Sequence, residues 1–142
     1  MQINMQRNLI DGPVPQIQGT LLDSQPVNMQ AFKGEPVLLH FWATWCPICE
    51  LEHDSINSIS NDHDVITIAM KSGNELDVQA FLEENNLSFS ILVDEHGAIA
   101  ERFGVTGIPT SFIFDTNGDI AFTEVGYTTN WGLRFRLWMA DR

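Results

Sequence analysis

The sequence predicts an α/β fold with a central mixed β-sheet, helices on both faces and an N-terminal β-hairpin extension. Three observations predict it. "PVLLHFWA", Pro36 to Ala43, is a nearly continuous apolar run, the pattern of a central strand buried on both faces. Shorter apolar runs follow, alternating with segments of helical spacing, the order that builds a sheet covered by crossover helices. Towards the C-terminus "TSFIFDTNGDIAFTEVG" holds two alternating runs joined by Asp115–Asp119, with Asn117-Gly118 at the bend, which reads as an antiparallel hairpin.

In chain order, residues 1–13 are polar and proline-punctuated and read as a flexible tail, and residues 14–142 as one domain. "QIQGTLLDSQPVNMQ" alternates around a turn signal at Asp23–Gln25, which predicts the N-terminal hairpin. Ala31 to Gly34 reads as a short helical turn. After the central strand, Ile48, Leu51, Ser55 and Ile59 recur at helical spacing, with Pro47 suited to a first turn. Val65 to Met70 is a second buried strand. "NELDVQAFLEENN" is an amphipathic helix with Asn74 as N-cap and Leu76, Ala80 and Phe81 as its inner side. "SFSILVDE" is a third strand, and "GAIAERFGV" a helical turn stopped by Gly104. The closing segment "TTNWGLRFRLWMADR" is a helix in which Trp131, Phe135 and Trp138 read as core contacts rather than a binding platform.

Composition removes several function classes. With 142 residues, 44% hydrophobic and 18% charged, the chain is an ordinary globular domain. Nineteen acids against seven bases, a net charge of −12, argue against nucleic acid as a partner, because phosphate recognition needs basic patches. No apolar run approaches the ~20 residues that span a bilayer. "MQINMQRNLI" has no basic stretch followed by an apolar one, so it is no signal peptide, and the chain reads either as cytosolic or as one trimmed of its export segment.

Function is concentrated in "FWATWCPICELE", Phe41 to Glu52, which contains both cysteines. A disulfide between Cys46 and Cys49 closes so small a loop that it stabilises little, so structural stapling explains the pair poorly. The crossover from strand to helix places Cys46 just past the carboxyl end of a central strand, at a helix N-terminus. There, amide N–H groups and the helix dipole favour a thiolate, the nucleophile of disulfide exchange. Cys49 follows one turn later on the same face, placed to attack a mixed disulfide on Cys46. Pro47 removes a backbone donor that has no acceptor in the first turn.

"FWATWCPIC" followed by "GVTGIPTSFIF" resembles the thioredoxin superfamily. Within it, "LDSQPVNMQAFKGEPVLLHFWATWCPIC" is similar to the opening of the membrane-anchored, periplasm-facing bacterial proteins of the TlpA and ResA, cytochrome c maturation (DsbE) and copper-sensitivity suppressor types. The likeness runs from Val14 to Met139. It implies a thioredoxin-like fold and a protein disulfide oxidoreductase, with Cys46 as exposed nucleophile and Cys49 as resolving thiol. It further implies Trp45 as the flanking aromatic and Pro109 as a cis-proline that presents the backbone of Ile108, beside Thr110, to an extended substrate. Glu52 matches an acidic residue that tunes the thiols in the ResA type. It reads as a proton carrier if buried and as part of a solvated helix face if not. His40 stands where thioredoxin has a buried Asp. It reads either as a hydrogen-bonded core histidine or as a group that moves a proton to or from Cys49.

Two other chemistries compete for the same residues. Cys46, Cys49 and His53 fall on one helix face and could present three ligands to zinc or copper, but no second ligand pair is evident, and His63 and His96 read as loop residues. Covalent haem attachment fails because Glu50, not His, follows Cys49. No cofactor is expected. Between the cysteines stands a neutral Pro–Ile pair with Glu50, Glu52 and Asp54 nearby, and negative charge disfavours a thiolate, so a reductant is expected rather than a disulfide-donating oxidase. The resemblance implies a periplasmic location behind a membrane anchor missing from this sequence, a monomer, a disulfide-containing substrate protein, and a membrane electron donor that recycles the dithiol. Cytochrome c biogenesis and copper tolerance are the processes it suggests.

Overall fold

The computed structural model describes residues 9–32 and 34–142. Its elements are β1 (Val37–Trp42), α1 (Pro47–Ile59), β2 (Asp64–Met70), α2 (Glu75–Asn85), β3 (Ser90–Asp94), α3 (Ala98–Arg102), β4 (Thr110–Phe114), β5 (Ile120–Val125) and α4 (Asn130–Ala140), preceded by a 3-10 turn at Met29–Phe32. The strands form one sheet in the order β3-β2-β1-β4-β5. β1 pairs parallel with β2 and β2 with β3, while β4 runs antiparallel to both β1 and β5. All six β1 residues are buried, as a strand in the middle of a doubly covered sheet must be.

Alternation along β1 divides the interior in two. Leu38 and Trp42 face a core completed by Ile56 and Ile59 of α1, Val78 and Leu82 of α2, and Leu133 and Leu137 of α4. Val37, Leu39 and Phe41 face the other core, with Phe103, Phe112, Phe114, Ile17 and Leu21. Three helices thus cover one face. The other is covered by α3 and by the N-terminal segment.

That coverage corrects the expected tail. Residues 1–8 of it lie outside the described residues. Leu9 and Ile10, however, pack on the second core, Pro13 bridges Asp119, and the Ile120 N–H donates to Gly12 O at 2.8 Å. With only the short α3 on that face, the sheet's apolar side chains draw the segment over them. The N-terminal hairpin is reduced to one bridge, Thr20 with Pro26, around a turn in which Leu21 N–H donates to Gln25 O at 2.8 Å.

Three helix faces also differ from expectation. On α1 the inner residues are Cys49, Glu52, His53, Ile56 and Ile59, and Ile48 and Leu51 are exposed. On α2, Val78 and Leu82 are buried and Phe81 half-buried, while Leu76 and Ala80 face out. Asn74 caps α2 as expected, in a reciprocal pair with Asp77. On α4 the inner residues are Gly132, Leu133, Leu137 and Ala140, so Trp131, Phe135 and Trp138 stand on the outside. On α1 and α4, polar or small residues on the true inner face hide the phase of the apolar pattern.

Candidate active site

β1 ends at Trp42, and the chain turns through Ala43–Trp45 to reach α1. Two bonds fix this turn to the loop after β2: Thr44 N–H donates to Ser72 Oγ at 2.9 Å, and the Trp45 indole donates to Lys71 O at 2.8 Å. The Ser72 hydroxyl in turn donates to Met70 O at 3.0 Å. Neither Ser72 nor Lys71 stood out in the sequence, because no local pattern marks a loop that supports another loop.

Cys46 is the N-cap of α1, in extended backbone, with Pro47 opening the helix. Its Sγ accepts the Cys49 N–H at 3.2 Å, one of the donors that a helix start leaves unsatisfied. Both cysteines are free thiols. Expected as exposed, Cys46 shows only 6% of its surface, because its sulfur is drawn beneath the helix start and faces Ile108 O at 3.9 Å. Cys49 is fully covered, and burial first, then its hydrogen bond to Cys46, pushes its thiol well above the ordinary range. Of the pair, only Cys46 can be reached from outside.

Opposite the thiols lies the loop before β4, with the Ile108–Pro109 peptide bond in cis. Ile108 is half-buried and Pro109 buried, and Pro109 O accepts the Gly126 N–H at 2.8 Å. Thr110 is turned inward. Its hydroxyl donates to Gly107 O at 2.6 Å, so it shapes the loop from within rather than facing solvent. Trp45 is 59% exposed and forms part of the rim.

Beneath α1 lies a buried polar layer. Glu52 is fully buried. One carboxylate oxygen accepts the Thr128 N–H at 2.9 Å and the other has no partner, and burial pushes its pKa up to about 7. His40 is buried with Nδ1 at 2.8 Å from Ser111 Oγ and Nε2 unpartnered, and burial, helped by His53, lowers its pKa to about 3. His53 is buried beside the Trp42 ring, with centroids 5.1 Å apart, and burial lowers its pKa also. His53 therefore points into an aromatic layer with Phe81 and Phe89, away from any shared ligand position. Among the described residues no group of three His, Cys, Asp or Glu is placed to hold a metal ion, Cys46, Cys49 and His53 included. His63 is half-buried and His96 exposed.

The arrangement brings together one reachable sulfur, a second sulfur behind it, and a buried carboxyl group that titrates near neutrality. The family profile described as Redoxin matches residues 10–131. A thioredoxin-like protein of Haemophilus influenzae is 36% identical over 110 residues, 77% of this chain and 65% of that protein. The thiol:disulfide interchange protein DsbE of Escherichia coli is 34% identical over 127 residues, 87% of this chain and 69% of that one. In three dimensions the chain superposes on a structure described as DsbE from Chlorobium tepidum with a TM-score of 0.82 and 25% identity, over 94% of this chain and 99% of the other. Against the Haemophilus protein the chain spans slightly under two thirds of its relative's length.

Proposed function

The chain belongs to the redoxin family and has the thioredoxin-like fold of its DsbE-type neighbours, and from that premise we propose that it is a protein thiol–disulfide oxidoreductase. One observation carries the reading: Cys46 Sγ sits at the start of α1, receives the Cys49 N–H at 3.2 Å, and is the only sulfur of the pair with an exposed edge.

The Cys46 thiolate attacks one sulfur of a substrate disulfide. A Cys46–substrate disulfide forms, and the other substrate sulfur leaves as a thiolate that takes its proton from water. Cys49 then gives its proton to the Glu52 carboxylate and attacks Cys46 Sγ, the intermolecular bond breaks, and the second substrate thiolate departs. Two electrons have passed to the substrate, and Cys46 and Cys49 are joined. The raised position of Glu52 near 7 suits it to take and return that proton at neutral pH. His40, with an unpartnered Nε2, is the second candidate acceptor, but burial lowers its pKa to about 3 and makes it the much weaker base. Trp45 and the Ile108–Thr110 loop frame the approach, with the Ile108 backbone as the substrate's strand-like partner.

The pair works as a reductant. Burial, the Cys46 hydrogen bond and the charge of Glu52 all oppose a Cys49 thiolate, which stabilises the joined form relative to the dithiolate. Likeness to interchange proteins of the DsbE type supports a periplasmic setting, where a reductant needs a membrane electron donor to return it to the dithiol. Its substrate would be a disulfide-containing protein such as an apocytochrome c or a copper-handling protein, and the enzyme would act as a monomer. No helix among the described residues is long and apolar enough to cross a membrane.

Insulin reduction with dithiothreitol supplied tests the activity, and equilibration with glutathione tests the direction. The expected potential lies nearer thioredoxin, about −270 mV, than DsbA, about −120 mV. A value above about −180 mV would make the protein an oxidant. A Cys49→Ser variant stalls the mixed disulfide on Cys46, so mass spectrometry of trapped partners identifies the substrate.

A further inference from the structure

An apolar feature on the outside of the molecule, not used by the redox chemistry, runs along α4. Trp131, Phe135 and Trp138 are 74%, 45% and 51% exposed. Trp131 and Phe135 stack with centroids 5.5 Å apart and an interplanar angle of 11°, and Phe135 and Trp138 follow at 6.0 Å. Met139, also exposed, flanks the same face, and the Arg142 guanidinium lies 3.8 Å above the Trp138 ring. Three touching rings on one helix face form a continuous strip, whereas singly scattered surface hydrophobics would need no explanation.

At about 100° per residue, Arg134 falls beside this strip, whereas Arg136 falls on the inner side of the helix, between Gly132 and Ala140. The two arginines are tied back to Asp62 and Glu124, at 2.9 and 2.8 Å. The segment 130–142 holds three of the chain's seven basic residues and one of its nineteen acids, so the acid excess lies elsewhere. An apolar aromatic strip bordered by arginine, Arg134 at its side and Arg142 over its last ring, is the pattern of a helix lying in a membrane interface, with rings at headgroup depth and guanidinium beside them for phosphate.

We propose that the outer face of α4 is a membrane-surface contact, with Trp131, Phe135 and Trp138 entering the headgroup zone of a lipid bilayer. The aromatic side chains expose together about 400 Å², taking roughly 150–250 Å² per ring. A stable dimer buries about 800 Å² on each partner, so the strip is too small to hold a second copy, and two copies of charge −12 repel. The outer face of a helix is convex, so a protein partner must supply a matching groove, while a bilayer interface yields to the rings. The contact is independent of the redox chemistry.

Flotation with phosphatidylcholine vesicles tests this, using the full chain and a Cys46→Ser, Cys49→Ser variant. Both should float with the vesicles, with a blue shift in tryptophan emission. Trp131→Gln/Phe135→Gln/Trp138→Gln should reduce retention at least tenfold with an unchanged far-ultraviolet circular dichroism spectrum. Phe135→Gln, which keeps every tryptophan, should weaken it partially. Leu76→Gln, on an exposed part of α2, should leave it unchanged. Absence of flotation by the wild-type chain overturns the proposal. So does retention by the triple variant. Sedimentation showing a dimer that the triple variant dissolves assigns the strip to a second copy instead. Slower reduction of insulin by the triple variant without any vesicle binding assigns it to a protein partner, and each of these results also refutes the membrane contact.

Discussion

Glu52 and Thr128 are joined across the helix pair: the Thr128 N–H donates to the Glu52 carboxylate at 2.9 Å, just before α4 begins, while the second carboxylate oxygen has no partner. One hydrogen bond offsets burial only in part, so Glu52 keeps its proton to about pH 7. The bond also ties the start of α4 to the first turns of α1, where the cysteines stand.

Glu52 leaves a mark on stability. Below its ordinary pKa of 4.5 it is protonated folded and unfolded; between 4.5 and about 7 only the folded chain holds the proton. Stability from this group is therefore present at low pH and lost as pH rises through that window, by at most about 3 kcal/mol. The urea midpoint at pH 8 minus that at pH 5 should be more negative in the wild type than in Glu52→Gln, where the opposing rise from His40 is left uncompensated. Equal differences would show that Glu52 titrates as an ordinary carboxyl.

Histidine 40 acts with the opposite sign. Its pKa is lowered from 6.5 to about 3, so between these values the unfolded chain binds a proton that the folded chain refuses. Its contribution is intact above 6.5 and lost on acidification, on the order of several kcal/mol in total. His40→Asn should flatten the acid limb of the stability profile measured from pH 3 to 7. An unchanged slope would mean that another group sets the limb.

In enzyme turnover the two proton acceptors separate by pH profile. Glu52→Gln should slow insulin reduction about 100-fold, the low end of the usual general acid–base range, and remove the inflection near pH 7. His40→Asn leaving that inflection in place would assign the proton to Glu52.

The thiols should differ in reactivity. Cys49 is covered and its thiol raised, so iodoacetamide with peptide mapping should label Cys46 at least tenfold faster in the native dithiol. Equal, slow labelling of both would remove the basis for assigning Cys46 as the nucleophile.

Ser72 supports the turn that carries Cys46 without touching it. Ser72→Ala deletes the acceptor of Thr44 N–H and should cost about 1 kcal/mol in chemical denaturation while slowing exchange several-fold. Ser72→Thr, which restores the hydroxyl, should recover the rate. Recovery of stability alone would limit Ser72 to a structural part.

The central strand, the β4–β5 hairpin and the place of Cys46 at a helix start are legible in the sequence because β1 is a continuous apolar run, Pro47 marks a first turn and Asn117-Gly118 dictates the bend. The phase of α1 is not. Cys49, Glu52 and His53 occupy its buried side, and polar residue types read as a solvent face until the sheet beneath them is known. α4 misled in the reverse direction, since Trp131, Phe135 and Trp138 have the spacing of core residues but Leu133 and Leu137 take that place. His40 was identified as inward-facing, but its partner Ser111 lies 71 positions away, and only the β1–β4 register brings them opposite. Long-range pairing of this kind has no local signature.

Because the cap of α1 is also its reactant, the opening turn of that helix registers the state of the pair. A sulfur bearing negative charge grips the Cys49 amide more tightly than one bonded to hydrogen or to a second sulfur. Each round of electron transfer thus loosens and re-fastens the same turn, and deuterium uptake at the Cys49 amide becomes a built-in gauge of whether the protein is charged with electrons or spent.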